Sequence, residues 1–247
     1  MEELIDFGNY MFKSVVMLLK GAEISNGFLC ALSTSETDII PFVITSKSFI
    51  HDKSHVAFQY TNKKGKLELG TIELEEKDWY ISDEYDIAAY PCGQMMNAIK
   101  ATQNNFGNIP LIEKMILSSE EEQQLNLIET TYSIGFINAV HNNENCWPMS
   151  YVAYTASPIS KNFDGKPYFV INSNIPKNIL GSPVFVKWFH KGIWGYRLAG
   201  MWINQKEIEN NVGNNTNFVG ILKAKIIFDF IKSIKSKVQQ DFKSSNK

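Results

Sequence analysis

The stretch "PKNILGSPVF", Pro176 to Phe185, decides the fold reading. Its second half, Gly181-Ser182-Pro183-Val184-Phe185, reads as a tight loop that runs straight into a strand. Gly supplies the turn, Pro183 fixes the chain direction, and Val184 and Phe185 begin an apolar run. Its first half, Asn178-Ile179-Leu180, carries no hydroxyl, thiol or carboxylate. The loop is thus shaped like a working loop, but no reactive atom stands at its tip.

Working outward, the rest of the chain is built from similar short runs between turn signals. Upstream lie "SVVMLLK" (Ser14–Lys20), "NGFLCALS" (Asn26–Ser33) and "DIIPFVIT" (Asp38–Thr45). In "HVAFQYT" the residues Val56, Phe58 and Tyr60 alternate with Ala57 and Gln59. The turn "NKKG" separates this run from "KLELGTIEL", a hairpin signal. "DIAAYP" (Asp86–Pro91) follows. A polar stretch, "SSEEEQQL" (Ser118–Leu125), has a Ser cap and then glutamates, which predicts a short helix. Strand-like runs resume with "TYSIGFI", "SYVAYTAS", "KPYFVIN", "PVFVKW", "GYRLAGMWI" and "NFVGIL". Ile227, Ile231, Ile234 and Val238 then recur at helical spacing, with lysines opposite, which predicts a C-terminal helix. The pattern predicts an all-β fold of two packed six-stranded antiparallel barrels. One domain spans 1–247, with a first barrel over 10–95, a connector over 96–126, a second barrel over 127–222 and the helix over 223–241.

Composition narrows the function classes. The chain has 247 residues and a formal net charge of −2. Arg197 is its sole arginine, so the bidentate forks that read guanine or clamp phosphate are nearly absent, which argues against nucleic-acid partners. Cys30, Cys92 and Cys146 are odd in number and unpaired in spacing, so free thiols in a reducing, cytoplasmic setting are expected. No apolar run approaches membrane-spanning length. His141, Glu144 and Cys146 lack a second ligand pair, so neither metal nor cofactor is expected. The lysines of the last helix (Lys223, Lys225, Lys232, Lys235 and Lys237) fit either an anionic surface or a solvated face above a packed apolar stripe.

In this setting the chain resembles the trypsin-like (chymotrypsin-fold) serine peptidases, of the bacterial kind without disulfides. Family members carry "GTGF" on the second strand, where this chain has "SNGF" (Ser25–Phe28). They carry "VTNKHV", whose His is the general base; here the run is "ITSKSF" (Ile44–Phe49), with Ser48 at that place. They carry "DLA", whose Asp orients the base, matched by Asp86-Ile87-Ala88. They carry "GNSGSPV", whose first Ser is the nucleophile, where this chain reads "NILGSPV" with Leu180. "SIGF" (Ser133–Phe136) matches their "IGYP" strand. The resemblance covers roughly residues 10 to 240 and keeps the base, acid, nucleophile order of the fold.

The resemblance implies a site without its chemistry. Such a peptidase needs a hydroxyl to attack, an imidazole to take its proton and a carboxylate to orient the imidazole. Only Asp86 remains. Removing nucleophile or base alone costs on the order of a million-fold in kcat. The oxyanion-loop positions fall at Asn178, where the family has Gly, and Gly181. The family's cleft implies Asn172, Asn174, Ser182, Trp188, Trp194 and Trp202 as binding residues, with Trp147 on another loop. The expected function is a catalytically inactive pseudoprotease that binds a peptide or protein partner, or serves as a subunit of a larger assembly. The alternative is a divergent serine or cysteine hydrolase using Ser182 or Cys146, with His51 or His55 as base.

Overall fold

A computed structural model describes residues 7–35, 38–51, 53–137, 147–173, 179–190, 193–204 and 217–245. The first half opens with helix α1 (Phe7–Lys13) and strands β1 (Val15–Lys20), β2 (Glu23–Ser33), β3 (Ile39–Thr45), β4 (Ser54–Thr61) and β5 (Leu67–Leu74). Strands β6 (Tyr80–Ile81) and β7 (Ala88–Pro91), helix α2 (Gly93–Ala101), and short strands β8 (Asn105–Phe106) and β9 (Leu111–Ile112) complete it. The β4–β5 turn forms as its sequence demands. Gly65 takes φ +77°, and Asn62 Oδ1 accepts the Lys64 and Lys66 N–H groups at 2.9 and 3.0 Å.

Among the described residues these strands form a nine-stranded sheet in the order β5-β4-β1-β2-β3-β7-β6, with β8 on β4 and β9 on β2. Its ends, β5 and β6, do not pair with each other. The sequence predicts closure into a barrel here; the hydrogen bonding leaves the sheet open. The β2–β9 pairing is moreover parallel, inside an otherwise antiparallel arrangement.

Helix α3 (Ser119–Gln124) leads into the second half and is fixed by a capping box. Ser118 Oγ accepts the Glu121 N–H, and the Glu121 carboxylate accepts the Ser118 N–H. Strands β10 (Thr130–Gly135), β11 (Met149–Thr155), β12 (Tyr168–Asn172), β13 (Pro183–His190), β14 (Ile193–Trp202) and β15 (Phe218–Lys223) close into a six-stranded barrel, β10-β11-β12-β15-β14-β13. Alternation decides its inside. Val184, Val186 and Trp188 join the interior cluster, while Lys187 and Phe189 point out. Lys223 and Glu122, each with a 9% exposed side chain, pair at 3.1 Å. Burial raises the Glu122 carboxyl pKa, against the opposing pull of the Lys223 hydrogen bond.

The two halves share one core. A single apolar cluster joins Phe28, Phe42 and Ile44 of the sheet to Ile134, Phe185 and Leu198 of the barrel. It continues under α4 (Ala224–Ser245), whose Ile227, Ile231 and Val238 are each at most 1% exposed. The α4 lysines are largely engaged: Lys225 pairs with Asp229, Lys232 with Glu113, and Lys237 sits over the Tyr80 ring. No helix among the described residues is long and apolar enough to cross a membrane.

Candidate functional site

The site sits where β3, the β6–β7 loop and the β12–β13 loop meet. After β3 the chain turns through a single 3-10 turn, Lys47–Phe49, capped by Ser46. Ser46 Oγ accepts the Ser48 N–H at 3.3 Å and donates to Asp86 Oδ2 at 2.6 Å. Ser48 donates twice to Asp86 Oδ1, from its N–H and its hydroxyl, each at 2.9 Å. The Asn204 N–H, from just beyond β14, reaches Asp86 Oδ2 at 2.9 Å. Asp86 is 1% exposed and so receives four donors, which makes a buried carboxylate tenable. Its loop is itself pinned: Lys47 Nζ donates to the Ser82 carbonyl, and Ser82 Oγ accepts the Tyr85 N–H. Ser48 thus binds Asp86 through both its N–H and a hydroxyl that is no base near neutral pH.

The end of the β12–β13 loop, which lies against Asn26 and Thr45, brings an apolar residue. Leu180 is half-buried and packs against the sheet cluster that contains Phe49 and Ile50. Its carbonyl accepts the Asn26 N–H at 2.9 Å and the Ser25 hydroxyl at 3.0 Å. Gly181 takes φ +77°; a Cβ there would overlap the Asn26 carbonyl and lie 2.7 Å from Thr45 Oγ1. Only glycine meets both demands. The Gly181 N–H donates to the Trp202 carbonyl at 3.0 Å, and the Trp202 N–H to the Ser182 carbonyl at 3.0 Å. The loop thus enters β13 as the sequence implies, with a leucine at its tip.

Ser182 is fully buried, and its hydroxyl has no hydrogen-bond partner among the described residues. It meets neither requirement of a nucleophile, access or an adjacent base. His51 is exposed, and His55 lies 3.6 Å from Glu73 on the β4–β5 ladder. Cys30 and Cys92 are free and buried; burial pushes the Cys92 thiol up to about 12 and raises Cys30 well above its ordinary value. His141, Glu144, Cys146, Asn174 and Asn178 lie outside the described residues. Among those described, no group of three metal-ligating side chains is placed to hold an ion.

The tryptophans divide. Trp188 and Trp202 are 5% and 2% exposed and belong to the barrel interior, because alternation along β13 and β14 points them inward. Trp202 Nε1 donates to Ser133 Oγ at 2.8 Å. Trp202 is thus a core residue, while Trp188, though buried, also reaches the lining of a hollow in this barrel. Trp194 and Trp147 are exposed, and Asn172 stands exposed at the end of β12.

Three contributors were missing from the sequence reading. Ser46 sits two residues before Ser48 and caps the turn; the "SKS" spacing carries that signal. Asn204 meets Asp86 through its backbone N–H, which no side-chain pattern marks. Asn26 is fully buried in β2 and ties the halves together: its Nδ2 donates to the Phe136 carbonyl at 3.1 Å, and its Oδ1 accepts the Phe136 N–H at 2.6 Å. A strand asparagine inside "SNGF" was the available sign.

The sequence matches no family profile and no curated protein. Among solved structures it is similar to a serine-to-alanine mutant of Rv3671c from M. tuberculosis H37Rv in an inactive form. That likeness has 11% identity, a TM-score of 0.49, and 96% and 94% coverage of the two chains. It is also similar to catalytically active tobacco etch virus protease complexed with product, at 10% identity and a TM-score of 0.43, covering 84% of this chain and 80% of that one. Likenesses this distant carry no argument about the chain. The architecture itself is mostly β: a closed six-stranded barrel packed on a sheet that does not close, with a C-terminal helix.

Proposed function

We propose that this protein is a catalytically silent member of the protease-like architecture that binds a peptide or protein partner without cutting it. One observation carries the reading: among the described residues the Asp86 carboxylate accepts hydrogen bonds from Ser46, Ser48 and Asn204 and from no imidazole, and the loop residue Leu180 lays its side chain on the sheet cluster. A carboxylate so satisfied does structural work at the junction. A half-buried leucine at the tip offers a partner an apolar foothold where a peptidase offers a hydroxyl.

A fluorophosphonate probe, read by intact mass against an active trypsin-like control, tests this. The folded protein is expected to remain unmodified. A stable adduct would reveal an activated hydroxyl and end the silent-site reading.

A further inference from the structure

The outer face of the second barrel differs from the rest of the surface. Alternation along β11, β13 and β14 turns Val152, Tyr154, Phe189 and Trp194 outward, each 50–57% exposed. Leu127 and Ile128, 73% and 71% exposed, project beside them where the connector enters β10. That segment is held down by Thr155, whose Oγ1 accepts the Glu129 N–H at 2.8 Å and donates to the Leu127 carbonyl at 3.3 Å. The register makes the face continuous: Tyr154 opposes Thr130, Lys187 opposes Tyr196, and Phe189 opposes Trp194, with the last two rings 4.6 Å apart.

A hollow of about 440 Å³ opens in this face, lined in part by Gln124, Asn126, Glu129, Lys187 and Trp194. Lys187 lies 4.3 Å from the Trp194 ring centroid and has no carboxylate within ion-pair distance among the described residues. Glu129 shares the hollow, with Oε1 held by the Asn126 N–H and Nδ2 at 2.7 and 2.9 Å.

We propose that this face joins two copies of the chain about a two-fold axis. A two-fold contact must be self-complementary, because the same patch appears on both sides. This patch is. Its projecting Leu127 and Ile128 stand next to a hollow that can receive the same pair from a partner. Its unpaired cation and its carboxylate line that hollow together, so rotation can set each against its opposite. The six exposed apolar side chains offer on the order of 600 Å², taking aromatic rings at about 150–250 Å² each when fully exposed. That approaches the roughly 800 Å² per partner of a standard interface. The strands carrying these side chains belong to a closed barrel, and the contact is made by side chains face to face.

The test is sedimentation equilibrium over a dilution series, on the wild type and on three variants whose folding is checked by circular dichroism. The wild type is expected to dimerise. Phe189→Ser with Trp194→Ser is expected to abolish the dimer. Lys187→Glu is expected to weaken it roughly tenfold, and adding Glu129→Lys to restore it. A wild type that stays monomeric at roughly 100 µM overturns the proposal. So does a dimer whose dissociation constant none of these exposed-residue changes moves.

Discussion

The two walls of the candidate site are built from opposite materials. On the sheet side, Asp86 accepts four hydrogen bonds from Ser46, Ser48 and Asn204. On the barrel side, Leu180 accepts hydrogen bonds through its backbone carbonyl and lays its side chain on hydrocarbon, while the buried hydroxyl of Ser182 has no hydrogen-bond partner among the described residues. One wall is a closed polar network, and the other is a shaped backbone turn. The frame of a reactive corner can therefore persist for reasons of its own. The carboxylate satisfies buried donors, and the glycine permits a close approach; neither service requires turnover.

That contrast yields a ranked set of expectations. Asp86→Ala should be the most damaging change, lowering stability by about 3–5 kcal/mol, since several buried donors lose their acceptor at once; urea denaturation measures it. A loss under about 1 kcal/mol would mean that the polar wall is ornamental. Gly181→Ala comes next, at about 2–4 kcal/mol, from the left-handed backbone and the overlap with Asn26. A protein as stable as wild type would show that the turn relaxes freely.

Ser46→Ala removes one charge-assisted bond and a turn cap and should cost about 1–2 kcal/mol, visible as a shift in the denaturation midpoint at constant slope. Leu180→Ser is expected to cost about as much or less, because its side chain is only half-buried. It should produce no hydrolysis, because Ser48 still stands where a base would be. Robust peptide cleavage by that single variant would point to another base. Smallest of all, Cys30 and Cys92 should stay unlabelled by a thiol reagent at pH 8 in the native state. Burial keeps both thiols protonated there, with Cys92 at about 12, and labelling should begin only on unfolding.

Much of the second half was readable in the sequence because its signals are local. Alternation marks β10 to β15, "SSEE" writes out the α3 capping box, and the spacing of Ile227, Ile231 and Val238 marks the face of α4. Closure of the first sheet was not readable. Whether β5 meets β6 depends on hydrogen bonds between distant strand ends, which leave no local pattern. Helices α1 and α2 escaped for a different reason. Cys92 gives α2 no side-chain cap, and each helix buries little, Met11 in one and Met95 in the other. At the site, the order of Ser48, Asp86 and Leu180 pointed to one corner. The partner of Ser48 became visible only when the turn brought its hydroxyl onto Asp86.

Helix α4 has a consequence for how the molecule is assembled in time. Its first turns complete the barrel side of the shared core, and its later turns reach back to the sheet, where Tyr80 donates to Asp241 and Lys232 meets Glu113. Those bonds span 161 and 119 residues of chain. Every described strand precedes α4 in sequence, so on the ribosome the packing of this helix against both β units must wait until it emerges. Docking is thereby a late, long-range event, and the exposed flank of the shared core is the surface a nascent chain must shield longest.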